Sequence, residues 1–164
     1  MKNQKILIFV PTYNCENQID RVIQQLEKEW VQQNVSKVII VDNQSTDQTA
    51  YVVKNRIKSR GDEYIQLLQN KKNYGLGGSH KVAFQYACEN GFDWVVVLHG
   101  DDQGSIVDFK HLIDQGGDNK TDAFLGSRFM KESRLSGYSQ FRIAGNIIFN
   151  ILYTICLGFQ IKDL

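Results

Sequence analysis

Residues 95–105 read VVVLHGDDQGS. Four apolar residues, 95–98, run straight into His99 and then into the paired Asp101 and Asp102. The apolar run has the length and β-branched content of a buried strand. A polar turn closing the strand is one reading of these carboxylates, and the rest of the chain decides between it and a second. Two side by side point to a cation, or to a phosphate held through one.

Other apolar runs end in a similar way. KILIFV (5–10) stops at Pro11, KVIIVD (37–42) closes on Asp42, and 64–68 is a third strand by pattern. Between them lie helical spacings. Ile19, Val22, Ile23, Leu26 and Trp30 recur within 16–31, and Ala50, Val53 and Ile57 follow the capping residues Ser45, Thr46 and Asp47. NYGLGGS (73–79) reads as a glycine-rich loop before a helix near 78–89. A strand over 92–98, a short helix near 106–115 and a fifth short strand, DAFLG (122–126), complete the alternation. Continuous apolar strands alternating with helices define an α/β protein with a mostly parallel sheet covered on both faces. Ligands of such sheets bind beyond the carboxyl ends of the strands, near a switch in strand order. The loops 11–16, 42–47 and 99–105 are therefore expected together. Asp42, Asp101 and Asp102 would crowd that rim, and oxygen-rich clusters suit Mg²⁺ or Mn²⁺ bridging to phosphate.

Composition narrows the partners. The 164 residues carry a formal net charge of +1, which gives no bulk attraction for nucleic acid. Cys15, Cys88 and Cys156 are too far apart for a metal finger, and their odd number implies no disulfide framework. A reducing, cytoplasmic setting is the simplest fit. The segment 141–159 is apolar but broken by Arg142, Asn146, Asn150 and Gly158, short of the ~20 uninterrupted apolar residues of a spanning helix. It is expected to pack on the domain or a partner, with homodimer contact and peripheral attachment at the cytoplasmic membrane face left open. The glycines of 73–79 do not form a dinucleotide fingerprint, because the third glycine position is His80.

Five segments in order, VPTYNCEN (10–17), VDNQSTDQT (41–49), NYGLGGSHKVAFQYA (73–87), LHGDDQGS (98–105) and FLGSRF (124–129), resemble the family 2 glycosyltransferases. The likeness is narrower to the polyprenyl-phosphate branch, similar to dolichol-phosphate mannosyltransferases, and covers nearly the whole chain. It implies a GT-A (Rossmann-like) fold that takes a nucleoside-diphosphate sugar with a divalent metal. By the resemblance, Pro11, Thr12, Tyr13, Glu16 and Asp42 surround base and ribose, and Asn73, Gly75, Gly77 and Lys81 face the nucleotide. The family's Asp-x-Asp metal motif falls on His99, Gly100 and Asp101, so Asp101, with Gln103 and His99, would hold Mg²⁺ or Mn²⁺. Arg128 matches an arginine near the donor or acceptor phosphate. Two departures stand out: His99 replaces the motif's first aspartate, and Asn43 replaces the second aspartate of the family's DDxSxD pattern. Asp102 reads as a residue that supports the turn or faces solvent there.

The resemblance also implies domains of 1–130, the nucleotide-sugar-binding core, and 131–164, a loop and apolar helix opening an acceptor region. The implied activity is inverting transfer of a sugar to a polyprenyl phosphate or glycan acceptor, in the making of a cell-envelope glycan. Two other readings compete. A nucleotidyltransferase would carry a glycine- and arginine-rich first loop, which PTYNCEN lacks. A non-catalytic nucleotide-sugar-binding or assembly module is favoured by His99.

Overall fold

The computed structural model describes residues 4–115, 121–126 and 139–161. It divides into two compact units, Met1–Asp118 and Asn119–Leu164. The boundary at residue 130 expected from the sequence lies outside the described residues.

In the first unit, strands β1 (Ile6–Thr12), β2 (Lys37–Asp42), β3 (Ile65–Gln69) and β4 (Trp94–Val97) form one sheet in the order β3-β2-β1-β4. Every pairing is parallel. Period-two alternation sorts the side chains into two layers. Ile6, Ile8, Val10, Val38 and Ile40 face the helices α1 (Ile19–Leu26), α2 (Glu29–Asn34) and α3 (Thr49–Arg60). Leu7, Phe9, Ile39 and Val41 face the opposite way, onto Ala83 and Ala87 of α4 (Gly75–Glu89). Each fully buried aliphatic or aromatic side chain contributes about 1.5–3 kcal/mol. Glu27, just after α1, ties α1 to α3 by accepting from Arg56 at 2.8 Å and pairing with Arg60 at 3.2 Å.

In this unit four expectations about elements need correction. The apolar set of 16–31 is two helices, because Lys28 is extended (ψ 137°) and re-aims Val31 into the core. Strand β1 continues through Pro11, which a central strand normally excludes. Its pairing with β4 ends at Phe9↔Val97, so the missing N–H costs no ladder bond. Helix α4 begins at Gly75 rather than near 78, so Gly77 and Gly78 belong to its first turn. A Cβ on Gly78 would lie 2.3 Å from Tyr74 Cβ, which explains a glycine inside a helix. Residues 106–115 split into a 3₁₀ turn, Ile106–Phe109, and α5 (Lys110–Asp114).

In the second unit, 122–126 is irregular rather than a fifth strand, with Leu125 89% exposed. No ladder partner supports it among the described residues. Helix α6 (Gln140–Leu157) ends on Gly158, whose left-handed φ of 75° closes the last turn. Among the described residues no helix is long and apolar enough to cross a membrane.

Candidate functional site

Strands β2 and β3 lie on one side of β1 and β4 on the other, so the strand order switches beside β1. At the carboxyl ends there a cleft of about 350 Å³ opens. Pro11, Thr12, Tyr13 and Cys15 come from the end of β1, and Asn43 from the end of β2. Asn73, Gly75, Leu76 and Ser79 form a wall at the start of α4, and His99, Gly100 and Asp101 extend β4. The three loops expected to meet do so, joined by the 73–79 segment.

Local chemistry holds each loop. Among the described residues three non-glycine residues lie in the left-handed region, Asn14 (φ 49°), Gln44 (φ 63°) and Asp102 (φ 61°), each in a loop that follows a strand. Such residues cost about 1–2 kcal/mol each and persist where the surroundings fix them. The side chain of Asn14 accepts from the Thr46 amide at 2.8 Å, and the Asn14 amide donates to Ser45 Oγ at 3.0 Å. Asp47 Oδ1 accepts from the Thr49 amide at 2.9 Å and the Thr49 hydroxyl at 2.6 Å, and Oδ2 from the Glu16 amide at 3.1 Å. Burial works to raise the Asp47 pKa, but the Thr49 hydroxyl, with the amides of Thr49, Glu16 and Asp47 itself, outweighs it and holds the carboxyl below its ordinary value.

The paired aspartates now separate. Asp101 stands at the cleft with Oδ1 accepting from the Gln103 amide at 3.2 Å. Asp102 turns away to α1, where it takes Arg21 Nε at 2.7 Å and Gln25 Nε2 at 3.0 Å. Gln25 Oε1 also accepts the Ile106 amide at 3.0 Å, so α1 clamps both ends of the 102–106 turn. Asp102→Ala is therefore expected to cost about 1–2 kcal/mol in urea unfolding, from the lost charged hydrogen bonds and the dearer left-handed φ of alanine. Asp102→Asn, which tolerates that φ, should lose less.

The remaining site residues named from the sequence are dispersed. Asp42 is 1% exposed and absent from the cleft lining, its carboxylate taken by Ser45 and by Gln69 Nε2 at 3.2 Å. Glu16 Oε2 accepts the Gln48 amide at 2.8 Å. Gly77, Lys81 and Gln103 do not line the cleft. Arg128 lies outside the described residues. Cleft residues that the sequence reading left out of the site are Cys15, Asn43, Leu76, Ser79 and Gly100. The spacing of Gly75 and Ser79, one turn apart on a helix, was the available signal.

Cys15 is buried, and its amide donates to Thr49 Oγ1 at 2.8 Å. Burial pushes its thiol up to about 11, against the opposing hydrogen bonds with Thr49 and Tyr13 and helped by Asp47 and Asp101. At pH 8 only roughly one thiol in a thousand would then be thiolate, the reactive form. Iodoacetamide should accordingly label the exposed Cys88 and Cys156 first. Labelling of Cys15 should keep accelerating up to about pH 11, which mass spectrometry of timed digests would show.

As a metal site, the cleft offers His99 and Asp101 from one loop. Among the described residues no three His, Cys, Asp or Glu side chains are grouped to hold an ion. This donor set does not make a closed protein cage. It fits Mg²⁺ or Mn²⁺ that takes one carboxylate from protein and completes its shell with phosphate oxygens and water.

A parallel sheet with this strand order and a strand-end cleft is a Rossmann-like arrangement, and the solved structures that share it are GT-A glycosyltransferases. Residues 1–349 of TarS from S. aureus, in complex with UDP-GlcNAc, match with a TM-score of 0.55 and 26% identity over 79% of this chain and 39% of that one. The mannosyltransferase PcManGT from Pyrobaculum calidifontis, in complex with GDP-Man and Mn²⁺, matches with a TM-score of 0.52 and 23% identity over 59% of this chain and 27% of that one. The sequence profile described as glycosyl transferase family 2 matches residues 7–163, and the chain belongs to that family. A UDP-N-acetylglucosamine–dolichyl-phosphate N-acetylglucosaminyltransferase of Methanococcus voltae is 22% identical over 99% of this chain and 67% of its own length. An uncharacterized protein of Methanocaldococcus jannaschii is 27% identical over 77% of this chain and 53% of its own. The chain thus spans about half to two thirds of the length of these curated relatives.

Proposed function

We propose that the chain carries the donor half of an inverting glycosyltransferase that moves a sugar from a nucleoside diphosphate to a lipid-phosphate acceptor. The observation that carries this reading is the cleft, where Asp101 and His99 share one pocket with the Asn73–Ser79 wall in a chain of this family. Pro11, Thr12 and Tyr13 would hold base and ribose, the exposed Tyr13 ring offering a stacking face. Asn73 and Gly75 would meet the nucleotide from the opposite wall. Asp42 and Glu16 act on the site by shaping its loops, since both spend hydrogen-bonding capacity on backbone amides. Gly77 frees the first turn of α4, Lys81 adds positive charge one turn beyond, and Arg128 would pair with phosphate.

Asp101 and His99 would hold Mg²⁺ or Mn²⁺ through one side each, with Gln103 braced against Asp101. Such an ion, when bound, neutralises charge that grows on the departing diphosphate. Asp101 is pre-aimed by the Gln103 amide, and the clamp of Asp102 on α1 keeps that loop from yielding. The acceptor would attack the anomeric carbon opposite the leaving group, which inverts that centre. A lipid phosphate arrives as an anion and needs no protein base. The dolichyl-phosphate acceptor named for the Methanococcus voltae relative supports this acceptor class.

His99, in place of the family's first aspartate, favours a second reading, a binding module without turnover. Calorimetric titration of UDP, UDP-GlcNAc, GDP and GDP-mannose, with and without Mn²⁺, is the deciding experiment, paired with an assay of donor hydrolysis. Binding that requires Mn²⁺, together with turnover, is expected. Binding without turnover would leave the second reading, and no binding would overturn both.

A further inference from the structure

Three asparagine side chains connect the floor of the cleft to its wall. Asn70 and Asn43 are 7% and 6% exposed, and Asn73 stands at the surface of the cleft. Asn70 Nδ2 donates to Asn43 Oδ1 at 2.9 Å and to Ser79 Oγ at 3.1 Å. Asn43 Nδ2 donates to Asn73 Oδ1 at 2.8 Å. Two backbone amides fix the orientation of these groups, since an N–H must face an oxygen. The Tyr74 amide donates to Asn43 Oδ1 at 2.9 Å, and the Gly75 amide to Asn73 Oδ1 at 2.9 Å. Asn43 is anchored in turn by its own amide, which donates to Thr12 O at 2.9 Å at the end of β1.

Donation thus runs one way, from the buried Asn70 through Asn43 to Asn73. Both bonds of Asn73 fall on its oxygen, and Nδ2 is left at the cleft with no protein partner among the described residues. An ionised carboxylate at 43 could not do this, because it only accepts and the position must also donate; a hydroxyl would have to do both from a single atom, where Asn43 accepts at Oδ1 and donates from Nδ2. This is also why an asparagine suits the place where the family pattern has an acid. We infer that Asn43 and Asn70 are positioning residues that lock the Asn73 amide with its N–H groups toward the cleft. The wall then selects a hydrogen-bond acceptor on the ligand, an oxygen or ring nitrogen of the nucleotide; this last part rests on the donor-site reading above.

The test combines amide exchange with binding. In the wild-type protein the Tyr74 and Gly75 amides should exchange at least tenfold more slowly than those of Lys71 and Lys72 in the same loop. Equal rates would overturn the relay without any variant. Asn73→Ala, at the surface, should release Gly75 while leaving Tyr74 protected. UDP and GDP, each with Mn²⁺, should bind about tenfold more weakly to Asn43→Ala and to Asn73→Ala, the scale of one lost and unsatisfied hydrogen bond. The double variant should bind no more weakly than Asn73→Ala alone, because Asn43 acts through Asn73. Additive losses would overturn the positioning role. If neither nucleotide binds the wild-type protein, the donor-site reading and the ligand role of Asn73 both fall, and the exchange rates alone decide whether the relay exists.

Discussion

On the transferase reading proposed above, Asp101→Ala is expected to lower sugar transfer by about a hundredfold or more while leaving the fold intact. Removing a group aimed at charge that develops in the transition state typically costs that much. Asp101 is exposed and, among the described residues, its one internal bond is to the Gln103 amide, so its loss should change stability by no more than about 0.5 kcal/mol. The two expectations together are diagnostic. A variant that unfolds at the wild-type urea concentration yet no longer shows Mn²⁺-dependent nucleotide binding places the Asp101 side chain in the metal and nucleotide site. Unchanged transfer and unchanged Mn²⁺ dependence would remove Asp101 from the site. Asp101→Asn adds a control of shape, since it keeps an acceptor for Gln103 but not the charge.

The second large effect concerns a residue with no side chain. Gly100 sits between the ends of β1 and β4, its amide donating to Pro11 O at 3.1 Å. A Cβ there would lie 2.5 Å from Thr12 Cγ2, 3.1 Å from Pro11 O and 3.3 Å from Cys15 Sγ. None of these can retreat easily. Pro11 O is backbone, and Thr12 is 3% exposed with its hydroxyl donating to Val41 O at 3.2 Å. Gly100→Ala should therefore cost about 1–3 kcal/mol through overpacking. It should also push the His99–Asp101 loop off the β1 end and weaken nucleotide binding on the order of tenfold or more. Gly104→Ala is the matched comparison. Its Cβ would meet only Leu98 Cδ1, at an ordinary 3.5 Å, so stability and binding should hardly change. Equal behaviour of the two variants in urea unfolding and calorimetry would mean that the close approach at Gly100 does not shape the cleft.

The parts legible in the sequence are those set by periodicity. The runs 5–10 and 37–42 announce strands buried on both faces, and β1 and β2 are that. Once the strands are parallel, the loops after them must share one rim, so the loops 11–16, 42–47 and 99–105 could be placed together before any coordinates. Local steric choices were less legible. Nothing in the spacing of Ile19 to Trp30 marks the extended Lys28 that splits the helix. The three glycines after Tyr74 read as a loop, although Tyr74 itself demands Gly78 inside a helix. Long-range polar pairing was not legible at all. Asp42 looked like a cleft carboxylate, yet Ser45 and Gln69 occupy it; Asp102 was expected to support or solvate its turn, but its partners Arg21 and Gln25, far away in sequence, could not be named. A carboxylate at a strand end has a fixed place but a free choice of partner, and only the packed neighbours decide between ligand and brace.

The strand order carries a consequence for how the protein is made. Three strands, β1 to β3, can pair as soon as they leave the ribosome, each beside the strand that came before it. The cleft cannot close at that stage, because its far wall is carried by β4 and the residues through Asp101. At about 5–20 residues per second, roughly 5–20 s of synthesis separate the first strand from the last piece of the site. Until then the β1 edge that β4 will cover, from Ile6 to Phe9, lies open to any other strand. The nascent chain is thus most exposed to mispairing in the interval before it can bind a nucleotide, and a chaperone acting on this protein has the edge of β1 to guard.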